Sequence, residues 1–449
     1  MTASRVTATA PPVTDLTHTA VRLPDALDPL AVYATTTTRT RAYWSGRDSD
    51  LTFAAIGVVA DLATNGATPD AFRSIARARL ALGSRLTRDP GSDPGPDPLL
   101  VGGFAFDQRL SGADPRWAGF PTGRLVLPEV LVVREGRGGV WAIVAGPADH
   151  DESGLDALQR MVAAAQAWTP CAPAGGSTVS DADLDDAAYP ALVAAGLDRI
   201  AAGELEKVVL ARAVDLPLAV DPAALVGRLR RRFPTCAVFA FTEGATTFLG
   251  ASPELLVRIV GGAVETEALA GSRPRDPDPD LDAALGQELF DEPKEVAEHR
   301  FVVDELRRTL VAAGATLAEG GEPVLRVLPG IQHLFTPVRG RMASTATTAL
   351  ALAQRLHPSP AVGGTPDGVA RAFIRDHEGF DRGWYAAPVG WVDLDGDGEL
   401  HVALRSGLAH PGGLRLFAGA GIVAGSDPDR ELAETTNKLH AVLDAWTAG

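Results

Sequence analysis

Lysine is rare in this chain, and its positions give the first indication of chemistry. Lysine and arginine together number 41, but lysine occurs only at Lys207, Lys294 and Lys438. A lysine amine can give up its proton when it is removed from water, whereas an arginine guanidinium stays charged. Since the chain otherwise uses arginine, each lysine is a candidate for a role that arginine does not fill. Chance retention on a solvated face is the alternative.

Lys207 lies in the segment ELEKVVLARAV, which is typical of a β-strand. Alternation along a strand places Lys207, Val209 and Ala211 on one face. An amine held there, out of water, could act as a general base. A lysine that guards a sheet edge against aggregation has the same pattern, so the strand alone leaves both interpretations open.

Four glutamates form two pairs with helical spacing. Glu295 and Glu298 lie three residues apart in one predicted helix. Glu431 and Glu434 repeat this spacing in a second helix, where Lys438 continues the same face. Carboxylates from two helices suit Mg²⁺, which takes one or two protein carboxylates together with water and substrate oxygens. A solvated helix face is the alternative for either pair alone.

Glu254 follows Pro253 at the start of a predicted strand, in GASPELLV. A carboxyl group that is partly buried at this position could be kept protonated and act as an acid. An exposed glutamate at the end of a strand is the alternative.

The elements that must position these residues follow an α+β pattern. The segments CAVFAFT, TTFLGAS, LLVRIV and AVETEAL are separated by short turns, which predicts antiparallel neighbours. DEPKEVAEHRFVVDELRRTLVAAG and DPDRELAETTNKLHAVLDAW are predicted helices. Strand clusters that bracket helices favour antiparallel sheet over a doubly wound parallel sheet. The sequence GAGIVAG near Gly419 is therefore not interpreted as a dinucleotide-binding loop, because no β–α–β unit surrounds it.

Composition excludes several classes of function. The net charge of −16 argues against nucleic-acid binding, which needs a basic face. Cys171 and Cys236 show neither metal-ligand spacing nor the density of a disulfide scaffold. No apolar run suits a membrane helix and the first residues lack the apolar core of a signal peptide, so we expect a cytoplasmic protein. Residues 88–98 and 169–178 are Pro/Gly-rich and predict linkers, and we expect residues 1–20 to be disordered.

Together these segments resemble the chorismate-binding enzymes, and among them most closely the isochorismate synthases. The shared blocks run from about Asp186 to Leu443 and include GELEKVVLAR, FLGASPELLV, ALAGSRPR, HLFTPVRG, FDRGWYAAPVGWVD and RLFAGAGIVAGSDPDRELAETTNKL. The resemblance implies an α+β fold in which two large antiparallel sheets pack face to face with helices outside, around a chorismate-binding cleft. It makes residues 21–178 the variable N-terminal part of this fold and residues 179–449 its catalytic core.

The resemblance also implies roles for the candidate residues. Lys207 matches the lysine that activates water, and Glu254 matches the acid that protonates the departing hydroxyl. The other matches are the Mg²⁺ ligands Glu298 and Glu434, their outer or water-mediated partners Glu295 and Glu431, and a substrate-binding group of Arg405, Lys438, Ser272, His357 and the Gly419 backbone. A satisfied interior histidine is the alternative for His357, and Lys294 receives no role beyond possible support beside the metal helix.

Members of this family differ in the nucleophile that they use. Ala270 stands in ALAGSRPR where aminating relatives often carry a lysine, and neither cysteine lies in a Gly-x-Cys-x-Gly context. We therefore expect no glutamine amidotransferase partner, and an Mg²⁺-dependent isochorismate synthase that uses water. The alternatives are a salicylate synthase, an aminating anthranilate or aminodeoxychorismate synthase component, and a catalytically silent chorismate-binding protein. The sequence leaves open the oligomeric state and the choice between a quinone and a siderophore pathway.

Overall fold

Two β-sheets form the centre of the molecule. The structure is a computed structural model and describes residues 15–47, 51–64, 70–108, 114–136, 138–148, 153–170 and 179–447. In chain order the strands are β1 (Leu16–Leu23), β2 (Thr40–Ser45), β3 (Leu51–Ile56), β4 (Ala60–Thr64), β5 (Leu86–Arg88), β6 (Leu99–Phe104), β7 (Gly123–Leu127), β8 (Val130–Glu135), β9 (Val140–Pro147), β10 (Lys207–Leu216), β11 (Ala237–Glu243), β12 (Thr246–Ser252), β13 (Leu255–Val260), β14 (Ala263–Pro274), β15 (Ala315–Leu317), β16 (Val324–Leu328), β17 (Ile331–Met342), β18 (Gly364–Thr365), β19 (Pro388–Asp393), β20 (Gly398–Val402), β21 (Ser406–His410) and β22 (Gly413–Val423).

Helices connect and cover the strands. They are α1 (Pro29–Thr35), α2 (Ala71–Gly83), α3 (Ser153–Ala167), α4 (Tyr189–Ala201), α5 (Pro222–Arg232), α6 (Pro279–Asp291), α7 (Pro293–Ala312), α8 (Ala349–Leu356), α9 (Asp367–His377) and α10 (Pro428–Thr447), with short 3₁₀ turns at Pro115–Trp117 and Asp181–Leu184. The long helices α7 and α10 are those predicted from the two glutamate-bearing segments. Pro293 begins α7, where its missing N–H costs no helical hydrogen bond.

The first sheet has twelve strands in the order β18-β10-β22-β21-β12-β11-β2-β3-β8-β9-β1-β5. The second follows the order β15-β17-β14-β13-β20-β19-β6-β7-β4, and β16 also pairs with β17. Among the described pairings only β1 with β5 is parallel. The predicted α+β fold with large antiparallel sheets is therefore confirmed. One detail was wrong: β12 and β13 are not neighbours, because the chain changes sheet between them.

Alternation of side chains along the first sheet gives it two apolar faces. Trp44 of β2 and Phe53 of β3 belong to the core shared with the second sheet, for example with Leu400 of β20. Their chain neighbours Tyr43 and Ala54 face the opposite way and pack with residues of α1, α5 and α10. The sheets thus lie face to face with helices outside, and truncation of a core aromatic such as Phe53 would cost about 3–5 kcal/mol.

The N-terminal expectations are partly corrected. Disorder was expected over residues 1–20, but residues 16–20 belong to β1, because its backbone pairs with β9 on one side and β5 on the other. Residues 1–14 lie outside the described residues, as does Cys171 with most of the linker predicted at 169–178. Strands from before and after residue 178 share both sheets. Among the described helices none has both the length and the apolar composition needed to cross a bilayer.

Candidate active site

One cavity collects ten of the eleven residues that the sequence singled out. It has a volume of about 240 Å³ and lies among β10, β14, β22, α7 and α10. The predicted residues that line it are Lys207, Glu254, Ser272, Glu295, Glu298, Arg405, Gly419, Glu431, Glu434 and Lys438. Because these residues come from seven separate segments, the cavity is a product of the tertiary fold.

Lys207 begins β10 and points into the cavity. Its Nζ donates a hydrogen bond of 2.5 Å to Glu298 Oε1, and only 12% of its side chain is exposed. Gly421 on the neighbouring strand makes room for it, since a Cβ there would lie 3.1 Å from Lys207 Cε. The backbone of β18 pairs with β10 at this point. The alternative of an edge gatekeeper is therefore wrong, because the side chain is enclosed and the strand edge is covered.

Glu254 lies where the chain passes from the first sheet to the second, between the ends of β12 and β13. It is only 5% exposed, so the alternative of an exposed strand-end glutamate is wrong. Burial and, to a smaller extent, the charge of nearby Glu267 raise the pKa of Glu254 to about 8, with Lys207 acting in the opposite direction. The carboxyl group is therefore mainly protonated at neutral pH and can donate a proton.

The paired glutamates on α7 and α10 face the same cavity, and Glu295, Glu298 and Glu434 each pair with a cation. Glu434 pairs with Lys438 at 2.7 Å, and this charge is the main reason that the pKa of Glu434 is lowered. Glu295 lies 3.3 Å from Arg273. Among the described residues no group of three or more acidic, histidine or cysteine side chains is close enough to form a complete metal cage. Carboxylates on two helices still fit Mg²⁺, since this ion retains waters and needs few protein ligands.

Arg405 is a buried cation beside the cavity. It adopts a left-handed backbone conformation, with φ of 46°, which is strained for a side chain of this kind. Its Nη2 lies 3.3 Å from Nε2 of His333, while Nη1 is buried with no hydrogen-bond partner among the described residues. Because a buried guanidinium without an anion is costly, this arrangement suits a ligand carboxylate.

His333 links two of the predicted residues. Its Nδ1 lies 2.9 Å from Ser272 Oγ and 3.1 Å from the Gly271 carbonyl oxygen. Burial, with Arg405 and Lys438 nearby, lowers the pKa of His333 to about 3, so the ring is neutral. The contacts fit a ring that donates from Nδ1 to Gly271 and accepts at Nε2 from Arg405. His333 therefore fixes Arg405 and Ser272 relative to each other.

Lys438 and Gly419 also meet at the cavity. Lys438 Nζ donates to the Gly419 carbonyl oxygen at 2.8 Å, in addition to its pair with Glu434. A Cβ at Gly419 would lie 3.2 Å from the Tyr385 hydroxyl. The glycine thus lets β22 lie close to Tyr385, and its carbonyl orients the lysine amine.

His357 is the predicted site residue that the structure does not bring to this cavity. It lines a separate depression with Phe106 and Arg371. Its Nε2 lies 3.3 Å from the Phe106 carbonyl oxygen, and its ring packs edge-on against the Phe106 ring. Burial lowers the pKa of His357 to about 3. The expectation of substrate contact is wrong for this cavity, because the histidine is used in interior packing.

Sequence reasoning missed several cavity residues, including His333, Arg273 and Arg382. Arg382 is fully buried, pairs with Glu378, and donates to the Val209 carbonyl oxygen at 2.8 Å. Its guanidinium also lies 4.1 Å from the centre of the Phe106 ring. Two of these residues stand in the blocks HLFTPVRG and FDRGWYAAPVGWVD. An arginine or histidine inside an otherwise apolar block was the available signal.

Comparison with known proteins agrees with this fold. The chain belongs to the chorismate-binding enzyme family, since residues 7–447 match the family described as "Chorismate binding enzyme". It is 38% identical to the salicylate biosynthesis isochorismate synthase of Pseudomonas aeruginosa, over 94% of this chain and 89% of that one. It is 32% identical to isochorismate synthase MenF of Bacillus subtilis, over 94% and 91%. The solved menaquinone-specific isochorismate synthase MenF of Escherichia coli superposes with a TM-score of 0.78 at 28% identity, covering 99% of this chain and 96% of that one.

Proposed function

We propose that this chain is an isochorismate synthase, which converts chorismate to isochorismate by adding water at C2 with loss of the C4 hydroxyl. The observation that carries the proposal is the presence in one cavity of Lys207, a lysine enclosed by protein, and Glu254, a carboxyl group that burial keeps protonated. A reaction that adds one hydroxyl and expels another needs a base and an acid together. The named relatives support the same reaction.

Cationic side chains of the cavity are proposed to bind the substrate. Chorismate carries two carboxylates, and Arg405 and Lys438 are the groups proposed to hold them. Arg405 has a buried nitrogen without a partner among the described residues, and Lys438 is oriented by the Gly419 carbonyl. Ser272 completes this group through its contact with His333. A few fixed cations in a cavity can bind a dianion even though the whole chain is acidic.

Mg²⁺ is the proposed cofactor, with Glu298 and Glu434 as ligands and Glu295 and Glu431 as outer or water-mediated partners. When bound, the ion would supply positive charge beside a substrate carboxylate. The four carboxylates come from the same faces of α7 and α10. Without a cation, these carboxylates would repel the dianionic substrate.

The proton transfers are assigned to two side chains. Lys207 removes a proton from the water whose oxygen bonds to C2. Glu254 gives its proton to the C4 oxygen, which leaves as water, while the ring double bonds shift. One water enters and one leaves, so atoms balance, and the two side chains recover their starting protonation by exchange with solvent. Directly after the chemical step, and before this exchange with solvent, Lys207 is protonated and Glu254 is ionised.

Water is the proposed nucleophile. Ala270, where aminating relatives often have lysine, forms part of the cavity wall. We also propose that the enzyme acts in the cytoplasm on this small molecule without a glutamine amidotransferase partner.

The test is incubation of the purified chain with chorismate and Mg²⁺, followed by chromatographic separation of isochorismate, salicylate and aminated products. Isochorismate as the main product is expected. Salicylate with pyruvate would instead identify a salicylate synthase, and aminated products in the presence of ammonium would identify an aminating enzyme. Binding of chorismate without any turnover would identify a silent binding protein. A Glu254→Gln variant serves as the control, since it keeps the shape of the side chain and removes the acidic proton.

A further inference from the structure

The short connection that carries Glu254 is held by charged side chains that lie outside the cavity. Arg47 follows β2, Arg326 belongs to β16, and Glu267 belongs to β14. Arg47 Nη1 donates to Glu267 Oε2 at 2.7 Å, and Arg47 Nη2 contacts the other carboxylate oxygen. Arg326 Nη1 lies 3.5 Å from Glu267 Oε2. One carboxylate therefore joins two guanidiniums from distant parts of the chain.

These groups also bind the backbone on both sides of Glu254. The Pro253 carbonyl oxygen accepts from Arg47 Nη1 and from Arg326 Nη1, each at 3.3 Å. The Leu255 N–H donates to Glu267 Oε2, also at 3.3 Å. The residue before Glu254 and the residue after it are thus tied to the same cluster.

The cluster is enclosed, which limits its freedom. The side chain of Glu267 is 1% exposed, that of Arg47 is 8% exposed and that of Arg326 is 14% exposed. The Arg326 guanidinium also lies 3.6 Å from the centre of the Phe335 ring. A buried ion pair of this kind adds little net stability compared with apolar side chains of the same shape. Its main effect is therefore expected in geometry and in the local electric field.

We propose that Arg47, Arg326 and Glu267 are positioning residues for Glu254, and that they fix the direction of its carboxyl group and keep its proton available for transfer. This inference rests on the proposed function, because it explains how the carboxyl group of the proposed acid is oriented. None of the three lines the cavity, so they act through the backbone and through charge.

The charge of Glu267 has a second consequence. Burial raises the pKa of Glu267 to about 7, although Arg47 opposes this effect, and the pKa of Glu254 is raised further, to about 8. Glu267 therefore ionises before Glu254 as the pH rises, and its negative charge helps to raise the pKa of Glu254. Other charges act on this pair from the surrounding elements. Lys207 of β10 lowers the pKa of Glu254. Glu265 of β14 raises the pKa of Glu267, and Arg47 lowers it. Removal of the Glu267 charge should therefore make Glu254 lose its proton at lower pH.

The experiment compares Glu267→Gln and Arg47→Lys with wild type and with Glu265→Gln. The last variant is a matched control, because Glu265 lies on the same strand and pairs with Arg339 at 2.8 Å without touching Pro253 or Leu255. For Glu267→Gln we expect kcat to fall about tenfold to a hundredfold, with the KM for chorismate within about twofold. The basic limb of the kcat–pH profile should move down by about one pH unit. Arg47→Lys should keep more activity than Glu267→Gln, since lysine retains the positive charge but cannot form the bidentate contact that the Arg47 guanidinium makes with Glu267.

Separate readouts distinguish failure of this inference from failure of the proposed function. An NMR titration of the Glu254 carboxyl carbon, identified by its loss in Glu254→Gln, measures the pKa without turnover. The positioning role alone would be overturned by two results together. Isochorismate formation would depend on Glu254, while Glu267→Gln would leave kcat and the basic limb of the kcat–pH profile unchanged. No turnover by wild type, or full activity in Glu254→Gln, would overturn the proposed function. The inference would still be decided by the NMR titration, where an unshifted Glu254 pKa in Glu267→Gln contradicts it. If Glu267→Gln does not fold, the same measurements are made on Arg47→Lys and Arg326→Lys. An unchanged kcat, kcat–pH profile and Glu254 pKa in both variants would contradict the inference.

Discussion

Lys207 and Glu254 share one cavity but have opposite surroundings. Lys207 contacts the Glu298 carboxylate, whereas Glu254 is buried near a second carboxylate, Glu267. Burial disfavours the charged form of Glu254, and the neighbouring negative charge adds to this effect. At the scale of single residues, the surroundings of Glu254 therefore support its proposed role as the acid.

Replacement of Lys207 by arginine tests the base. Lys207→Arg keeps a positive charge and most of the length, but arginine does not give up its proton near neutral pH. We expect turnover to fall by about 10²–10⁴, the usual contribution of a positioned base. The KM for chorismate should change much less, because Arg405 and Lys438 remain. Near wild-type turnover with saturating chorismate and Mg²⁺ would contradict the assignment.

The pH dependence of turnover tests the acid. Glu254 must be protonated to donate, and the protonated form predominates below its pKa, which burial raises to about 8. We therefore expect kcat to be retained below this value and to fall as the pH rises through about 8. The measurement is kcat at saturating substrate across neutral and alkaline pH. Glu254→Gln should be slow throughout and lack that limb, and a limb that persists in this variant would assign it to another group.

At the scale of elements, the strand that carries the base is joined to the helix that carries a carboxylate pair. Arg212 of β10 donates from Nε to Thr435 Oγ1 at 2.8 Å and from Nη2 to Thr436 Oγ1 at 2.7 Å. Its Nη1 donates to the Leu184 carbonyl oxygen at 2.5 Å. All three acceptors are neutral, so this buried guanidinium depends on them for its hydrogen bonds. The contact fixes the rotation of α10 and hence the direction of Glu434.

Loss of one hydroxyl in this contact should be measurable. Thr436→Val removes an acceptor and leaves Arg212 Nη2 buried without its partner, which we expect to cost about 1–3 kcal/mol in the free energy of unfolding. Chemical denaturation measures this change. Thr436→Ser is the matched control, because it keeps the hydroxyl, and equal stability of the two variants would show that the hydrogen bond contributes nothing.

The metal proposal belongs to the same scale, because it needs two helices. Glu434→Gln removes one charged donor from α10, and we expect Mg²⁺ affinity to fall by at least about tenfold, with loss of turnover. Calorimetry measures Mg²⁺ binding, and circular dichroism reports the fold. Asp429→Asn, an exposed change in the first turn of α10, is the control. Full activity of wild type in excess EDTA, or unchanged Mg²⁺ dependence in Glu434→Gln, would place the site elsewhere.

At the scale of the whole molecule, an acidic chain surrounds a cavity in which fixed charges of both signs are concentrated. The net charge is −16, yet the cavity is lined by Lys207, Arg273, Arg382, Arg405 and Lys438. These cations come from both sheets, from α10 and from connecting segments. Only the packing of the sheets against each other brings them together. Global charge therefore says little about the ligand, because five cations placed among the cavity carboxylates can still bind anionic groups.

The choice of nucleophile is a property of this enclosed cavity. We expect that ammonium will not replace water, because Ala270 supplies no amine to the wall. The measurement is product analysis at high ammonium concentration and raised pH, with chorismate and Mg²⁺ saturating. Isochorismate should remain the product. Ala270→Lys is an informative comparison, since it introduces the lysine that aminating relatives often carry at this position. Substantial aminated product from wild type would favour an aminating enzyme.

The sequence by itself determined much of the candidate site. The bases and acids stand in short blocks, and the spacing of glutamates on helices and the alternation of strands are local properties that remain visible in the primary structure. For this reason Lys207, Glu254 and the four paired glutamates could be singled out as candidates, while the resemblance to the chorismate-binding enzymes implied their roles. The structure brings all six to one cavity. The antiparallel α+β fold was predictable on the same grounds.

Only the tertiary structure decided which other groups meet them. His357 is a predicted substrate-binding residue, but it follows α8 and packs against Phe106 in a separate depression. Arg47 and Glu267 are 220 residues apart in the chain, and no local pattern links them. The change of sheet between β12 and β13 buries Glu254, although the sequence alone predicts simple neighbouring strands. Contacts between distant segments depend on how the two sheets pack, and this packing sets the burial and charge that give each residue its chemistry.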